Sequence, residues 1–176
     1  PDCPDLVIIG DDQDPEYSAK MRAARERCGD LAENIHILGE VPYAEIQRYY
    51  GAAEMFVFPS YLETFGHPML EAMASGLPTV AADIPVFREV GGDAVLYADP
   101  HSPAALAKTM EQVLFVPGVA ESLAKRGRER VLDFTWEHTA ERLLGLFNEV
   151  WAEQEARNWR RPLRETGLLE PIGIGD

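Results

Sequence analysis

Two carboxylates and the start of an apolar helix lie close together between residues 59 and 76. The segment reads PSYLETFGHPMLEAMASG, and its second half predicts a helix over residues 68–74 that is apolar nearly all round. Such a helix is expected to be buried. Glu71 is its one acidic residue, and a buried carboxylate is seldom tolerated without hydrogen-bond donors. We therefore expect Glu71 to take donors from the protein or from a ligand.

The start of this helix is a second candidate for ligand binding. Gly66 permits close backbone approach, and the first-turn N–H groups of Met69, Leu70 and Glu71 are expected to have no helical partners. Unpaired N–H groups at the positive end of a helix dipole form a phosphate site without a cationic side chain. With Glu63 in the preceding loop, the pattern favours a sugar–diphosphate site over a carboxylate pair for hydrolysis. The alternative is that Glu71 pairs with a buried backbone amide and Glu63 is solvated.

Strands that alternate with helices must position this segment. Apolar runs predict strands at residues 6–9, 35–38, 55–58, 79–82 and 94–97. Helices are predicted over 15–27, 42–50, 68–74, 103–114, 119–132 and 136–159, with Asp14, Ser102 and Thr135 as caps and Trp136 in the core. The alternation predicts an α/β fold, a Rossmann-like parallel sheet with helices on both faces. Ligands bind beyond the carboxyl ends of such strands, which is where the loop after Phe58 lies.

Composition narrows the functional classes. The 176 residues carry 30 Asp and Glu against 16 Lys and Arg, for a formal net charge of −14, and 46% of them are hydrophobic. This is a globular composition, and its acidity argues against a nucleic-acid partner. No apolar run approaches the length of a membrane span. Cys3 and Cys28 are expected to be free thiols in a reducing compartment. Since the chain opens almost directly on a strand, we expect it to be a piece of a longer protein.

Several motifs occur together in an order that identifies a family resemblance. Glu63 and Glu71 are separated by seven residues within ETFGHPMLEAMASGLP. The flanking motifs are LVIIGD, ILGEVP, AAEMFVFPS, PTVAAD, REVGGDAVLYADP and FTWE. This ordered set, over about residues 5–150, resembles the E-x7-E signature and surroundings of the retaining glycosyltransferases of family 4. The resemblance implies the carboxy-terminal, donor-binding half of a two-domain GT-B fold.

By matching position, the resemblance also implies roles for individual residues. Glu63 would bind hydroxyls of the transferred sugar and is the candidate catalytic residue, while the backbone amides of Phe65, Gly66 and His67 would help to hold that sugar. The Met69 and Leu70 amides would face the diphosphate.

Two further contacts are implied for the nucleoside. Glu71 would accept hydrogen bonds from the ribose hydroxyls. The turn at Val41 and Tyr43 would lie along the nucleobase, although a plain helix start explains the same residues.

The resemblance implies retention of anomeric configuration, by front-face attack assisted by the departing diphosphate, with no metal and no cofactor. The expected partners are a nucleoside-diphosphate-sugar donor, an amino-terminal GT-B domain, and a glycan, lipid or small-molecule acceptor, with no nucleic acid. The implied location is cytoplasmic, with the inner face of the membrane as a further candidate for a full-length enzyme.

An Arg and a Lys precede the LVIIG motif in the family, and this sequence has no counterpart of them. With the acceptor domain also absent, we expect no useful transferase activity from the chain alone. We expect a donor-binding domain over residues 1–150, followed by a helix end and irregular tail over 151–176. The open alternatives are a GT-B-like sugar-nucleotide epimerase or hydrolase and a non-catalytic nucleotide-sugar-binding module.

Overall fold

A computed structural model describes residues 4–11 and 14–156. Cys3, the expected helix residues beyond 156 and the expected irregular tail lie outside the described residues. The chain divides into two compact units, Pro1–Arg128 and Glu129–Asp176. The predicted boundary between residues 150 and 151 stays a prediction.

The first unit contains the parallel strands and the helices that alternate with them. The strands are β1 (Leu6–Ile9), β2 (Ile35–Gly39), β3 (Phe56–Phe58), β4 (Thr79–Ala82) and β5 (Val95–Ala98). The helices are α1 (Pro15–Glu26), α2 (Tyr43–Ala52), α3 (His67–Ala74), α4 (Pro85–Gly91), α5 (Pro103–Phe115) and α6 (Val119–Arg130). Strands β1 and β2 pair in one parallel sheet, and β3, β4 and β5 form a second in that order. The prediction of an α/β fold with parallel strands is confirmed.

Hydrophobic packing is concentrated around β4, the middle strand of the three-stranded sheet. All four of its residues are buried. Val80 packs with Val113 of α5 and Leu123 of α6, which cover this strand with apolar side chains. A second cluster joins Tyr50 of α2 to Ala72 of α3 and to Leu77. Helix α3 is therefore held between the sheet and α2.

Three helix starts have the side-chain caps that the sequence predicts. Asp14 accepts hydrogen bonds from the amides of Glu16 and Tyr17, and Ser102 accepts one from Ala105. Thr135 accepts one from the amide of His138 at the start of α7 (Trp136–Ala156), a helix of the second unit. Each cap pairs an amide that the first helical turn leaves without a partner.

The structure differs from the expectations about the fold in three places. Helix α4 was not predicted, and α6 ends at Arg130, where a 3-10 turn over Val131–Asp133 follows. Trp136 was expected in the core but is 84% exposed. Cys28 is a free, exposed thiol, as predicted. Within the described residues, we find no helix with the length and apolar character needed to cross a membrane.

Candidate functional site

The loop between β3 and α3 ends in a glycine that the packing demands. Gly66 adopts a left-handed conformation with φ of +90°, immediately before α3 begins. A Cβ at this position would lie 2.7 Å from Cε1 of Phe87, which is fully buried. Any side chain here would meet both backbone strain and a packed ring. The glycine therefore fixes where α3 starts.

The expectation of free Met69, Leu70 and Glu71 amides is wrong, because α3 begins at His67, one residue earlier than predicted. The amides of Met69 and Leu70 both donate to the Gly66 carbonyl, at 3.0 and 3.4 Å. The Glu71 amide is one position further into the helix, past the first turn that lacks helical acceptors.

Other amides at the helix start remain available. Within the described part of the chain, the N–H groups of Gly66 and His67 make no hydrogen bond. No side chain caps this end of α3, and His67 and Pro68 are exposed. Gly66 itself is buried, so the positive end of the helix dipole is open to an anion at His67 rather than at Met69 and Leu70.

Glu71 has two protein donors, and its expected deep burial is wrong. Its side chain is half-buried. The hydroxyl of Tyr43 donates to Oε1 at 2.9 Å, and the hydroxyl of Tyr50 donates to Oε2 at 3.3 Å. The carboxylate therefore accepts a hydroxyl hydrogen bond on each oxygen, both from α2.

Glu71 helps to raise the pKa of both phenols. Burial, followed by the charge of Glu71 and its hydrogen bond, raises the pKa of Tyr50. The hydrogen bond to Glu71 is the main cause that raises the pKa of Tyr43, which is solvent-accessible. Since both phenols ordinarily titrate near pH 10, both hydroxyls are donors at neutral pH.

Helix α2 contributes the residue that sequence reasoning missed. Tyr50 is 9% exposed, its ring packs edge-on against Phe56 at 5.8 Å, and its hydroxyl lies 3.4 Å from the Pro68 carbonyl. Tyr43, Ile46 and Tyr50 have the i, i+3, i+7 spacing of one helix face. This spacing could have shown that the two phenols lie on the same side of α2.

The other candidate residues lie on the loop or in the turn before α2. The rings of Phe65 and His67 are 4.8 Å apart. Glu63 is half-buried in the loop and makes no hydrogen bond among the described residues, and Val41 is half-buried in its turn. The structure thus joins Tyr43 to Glu71 by a direct hydrogen bond, whereas among the described residues the side chains of Glu63 and Val41 make no hydrogen bond to either.

A cavity of about 530 Å³ lies elsewhere in the first unit. Its lining comes from β5, α5, α6 and the turn between the helices, and includes Leu96, Gln112, Val116 and Arg126. No predicted site residue lines it. The sequence motifs and this cavity therefore point to different places, which a binding experiment can separate.

Comparison with known proteins decides the family. Residues 4–130, well over half of the chain, match the model of the family described as glycosyl transferases group 1. The chain belongs to this family. The O-antigen chain mannosyltransferase B of Escherichia coli is 39% identical over 104 residues, which cover 59% of this chain and 27% of that protein. The resemblance to glycosyltransferases that the sequence motifs indicate is confirmed as membership of group 1, and the assignment to family 4 stays a prediction.

Solved structures agree on the fold. Sucrose-phosphate synthase from Thermosynechococcus elongatus superimposes with a TM-score of 0.71 at 29% identity, covering 84% of this chain and 39% of that one. Anabaena Alr3699/HepE, solved in complex with UDP, gives a TM-score of 0.75 at 19% identity, covering 85% of this chain and 42% of that one. Both neighbours have the GT-B fold. The chain spans less than half the length of each.

Proposed function

We propose that this chain is the donor-binding part of a glycosyltransferase that moves a sugar from a nucleoside-diphosphate sugar to an acceptor hydroxyl. The family match supports the transferase class, and the UDP complex of the structural neighbour supports a nucleotide donor. The observation that carries the proposal is the carboxylate of Glu71, which accepts one hydroxyl on each oxygen beside an uncapped helix start.

The arrangement suits the two ends of a nucleoside diphosphate. A carboxylate that already accepts hydrogen bonds from hydroxyls is a suitable acceptor for a ribose hydroxyl. The N–H group of the exposed residue His67, at the uncapped start of α3, can receive a phosphate oxygen without a cationic side chain, which fits an acidic chain. Glu63 lies in the loop before His67, and we assign it to the hydroxyls of the transferred sugar.

We propose a retaining reaction. The acceptor oxygen bonds to the anomeric carbon on the face from which the diphosphate leaves. The bond from that carbon to the diphosphate oxygen breaks, and the acceptor proton passes to the departing diphosphate. The site would stabilise the negative charge that develops on the leaving diphosphate, and preorganised hydrogen-bond donors are well suited to such stabilisation.

The activity of the whole protein is part of the same proposal. We propose that the reaction uses no bound metal and no cofactor, and that the enzyme acts in the cytoplasm or at the inner face of the membrane. We also propose that the chain alone binds donor but transfers no sugar, because the acceptor domain and the Arg and Lys expected before β1 are not in this sequence. Measured sugar transfer by the isolated chain would contradict the last point.

A titration of the chain with UDP, GDP and their sugar conjugates tests the site. Glu71→Ala is expected to weaken nucleoside-diphosphate binding by about ten- to a hundred-fold, the equivalent of losing charge-assisted hydrogen bonds worth about 1.5–3 kcal/mol. Glu63→Ala is expected to leave the affinity for the diphosphate within about twofold and to reduce discrimination between sugars.

Glu111→Ala is the matched control, since it removes one carboxylate from the exposed side of α5. It should change neither affinity nor discrimination. Equal and negligible effects of the Glu63 and Glu71 substitutions would refute the assignment of the two carboxylates.

A further inference from the structure

The two tyrosines on Glu71 differ in how firmly they are held. Tyr50 is 9% exposed, packs its ring against Phe56, and lies within 3.4 Å of the Pro68 carbonyl. Tyr43 is 75% exposed, and its hydrogen bond to Oε1 is the only one its side chain makes within the described residues. One phenol is built into the core, and the other rests on the surface.

This difference decides which phenol can leave the carboxylate. Moving Tyr50 would open a cavity between α2, α3 and β3, because its ring belongs to the cluster with Ala72 and Leu77. Moving Tyr43 requires only rotation of an exposed side chain, a fast motion, and gives up one hydrogen bond without leaving a cavity.

The Tyr43 hydroxyl occupies the position from which a ligand hydroxyl would donate to Glu71. Its hydroxyl lies 2.9 Å from Oε1 of Glu71 and donates to it, which is what a ribose hydroxyl would do there. Two donors can share one carboxylate oxygen, but a half-buried side chain leaves limited room around it. A nucleotide that reaches Oε1 therefore competes with the phenol.

We propose that the Tyr43 hydroxyl is an exchangeable placeholder, which a ribose hydroxyl of the bound nucleoside diphosphate displaces from Oε1, while Tyr50 stays on Oε2 and fixes the orientation of Glu71. The inference rests on the proposed function, because it concerns how the same site takes its donor. Tyr43 then reduces the affinity for a ribonucleotide, and Tyr50 is a positioning residue that increases it.

The test measures the affinity of the chain for UDP or GDP and for the matching 2′,3′-dideoxynucleoside diphosphate. Tyr43→Phe is expected to bind the ribonucleotide about three- to tenfold more tightly, because no hydrogen bond has to be given up. It should bind the dideoxy analogue as the unsubstituted chain does. Tyr50→Phe is expected to weaken ribonucleotide binding about tenfold and dideoxynucleotide binding much less.

Tyr17→Phe on α1 is the control, since Tyr17 is a similarly exposed tyrosine at 67%. It should match the unsubstituted chain with both ligands. Ribonucleotide affinity that is unchanged or weaker in Tyr43→Phe would overturn the inference, and so would an equal gain for the dideoxy analogue. This substitution alone is decisive, because an exposed Phe leaves the core intact even if Tyr50→Phe does not fold.

Failure of the proposed function gives a different result. In that case the unsubstituted chain binds neither ribonucleotide nor dideoxynucleotide. Failure of this inference alone leaves nucleotide binding intact and removes only the difference between Tyr43→Phe and the control.

Discussion

The two parallel sheets place similar apolar runs in different surroundings. In the three-stranded sheet, β4 has a strand on each side and every residue of Thr79–Ala82 is buried. In the two-stranded sheet, Leu6 and Val7 of β1 are 42% and 44% exposed. Burial thus follows from neighbouring strands and covering helices rather than from the apolarity of the run. The candidate site is built on the sheet that is well packed.

The same contrast appears at two glycines with left-handed backbones. Gly66, before α3, has a φ of +90°, and a Cβ added there would clash with the ring of Phe87. Gly39, at the end of β2, has a φ of +73°, and a Cβ added there would have no atom within 4 Å. Both positions exclude most residues on backbone grounds. Only Gly66 excludes a side chain by packing as well.

Substitution of the two glycines should give the largest effect. Gly66→Ala is expected to lower the free energy of unfolding by about 2–5 kcal/mol, from left-handed strain plus overpacking against Phe87. Gly39→Ala should cost only the strain, about 1–2 kcal/mol. Urea unfolding of both variants measures the difference. Equal losses would show that the packing around Gly66 does not distinguish the two regions.

A smaller effect is expected from shortening one valine in each sheet. Val80→Ala in β4 removes two methyl groups from a fully buried position and should cost about 1–3 kcal/mol. Val7→Ala in β1 should cost under about 1 kcal/mol, because nearly half of that side chain is already exposed. The urea midpoints of the two variants provide the check. A loss at Val7 as large as that at Val80 would mean that β1 is covered as well as β4.

Much of the fold could be predicted from local patterns. The runs at β1 and β4 and the caps Asp14 and Ser102 depend on a few neighbouring residues, and the structure confirms them. Helix α4 escaped prediction because it has seven residues and no side-chain cap. The signals in its sequence are Pro85, a favoured first residue of a helix, and Phe87, which is buried. Both residues also occur in loops, so only the packed structure shows that this segment is a helix.

The site was harder to predict, because its details depend on contacts between elements. That Glu71 needs donors followed from an acid on an apolar helix, but their identity depended on how α2 packs on α3. The sequence predicts free amides at Met69 and Leu70, but the structure has one at His67, because α3 starts one residue earlier than predicted. The contact of Gly66 with Phe87, distant in sequence, accompanies that start. Helix ends set by such tertiary contacts are poorly specified by local sequence.

The most direct test of the central claim is to map where a nucleoside diphosphate binds. Backbone amide chemical shifts of the chain, recorded during titration with UDP and GDP, report on each position. We predict the largest changes at Gly66, His67 and Glu71, where the open helix start meets the carboxylate. Changes concentrated at Val116 and the other residues lining the 530 Å³ cavity, with Gly66 and His67 unmoved, would contradict the claim.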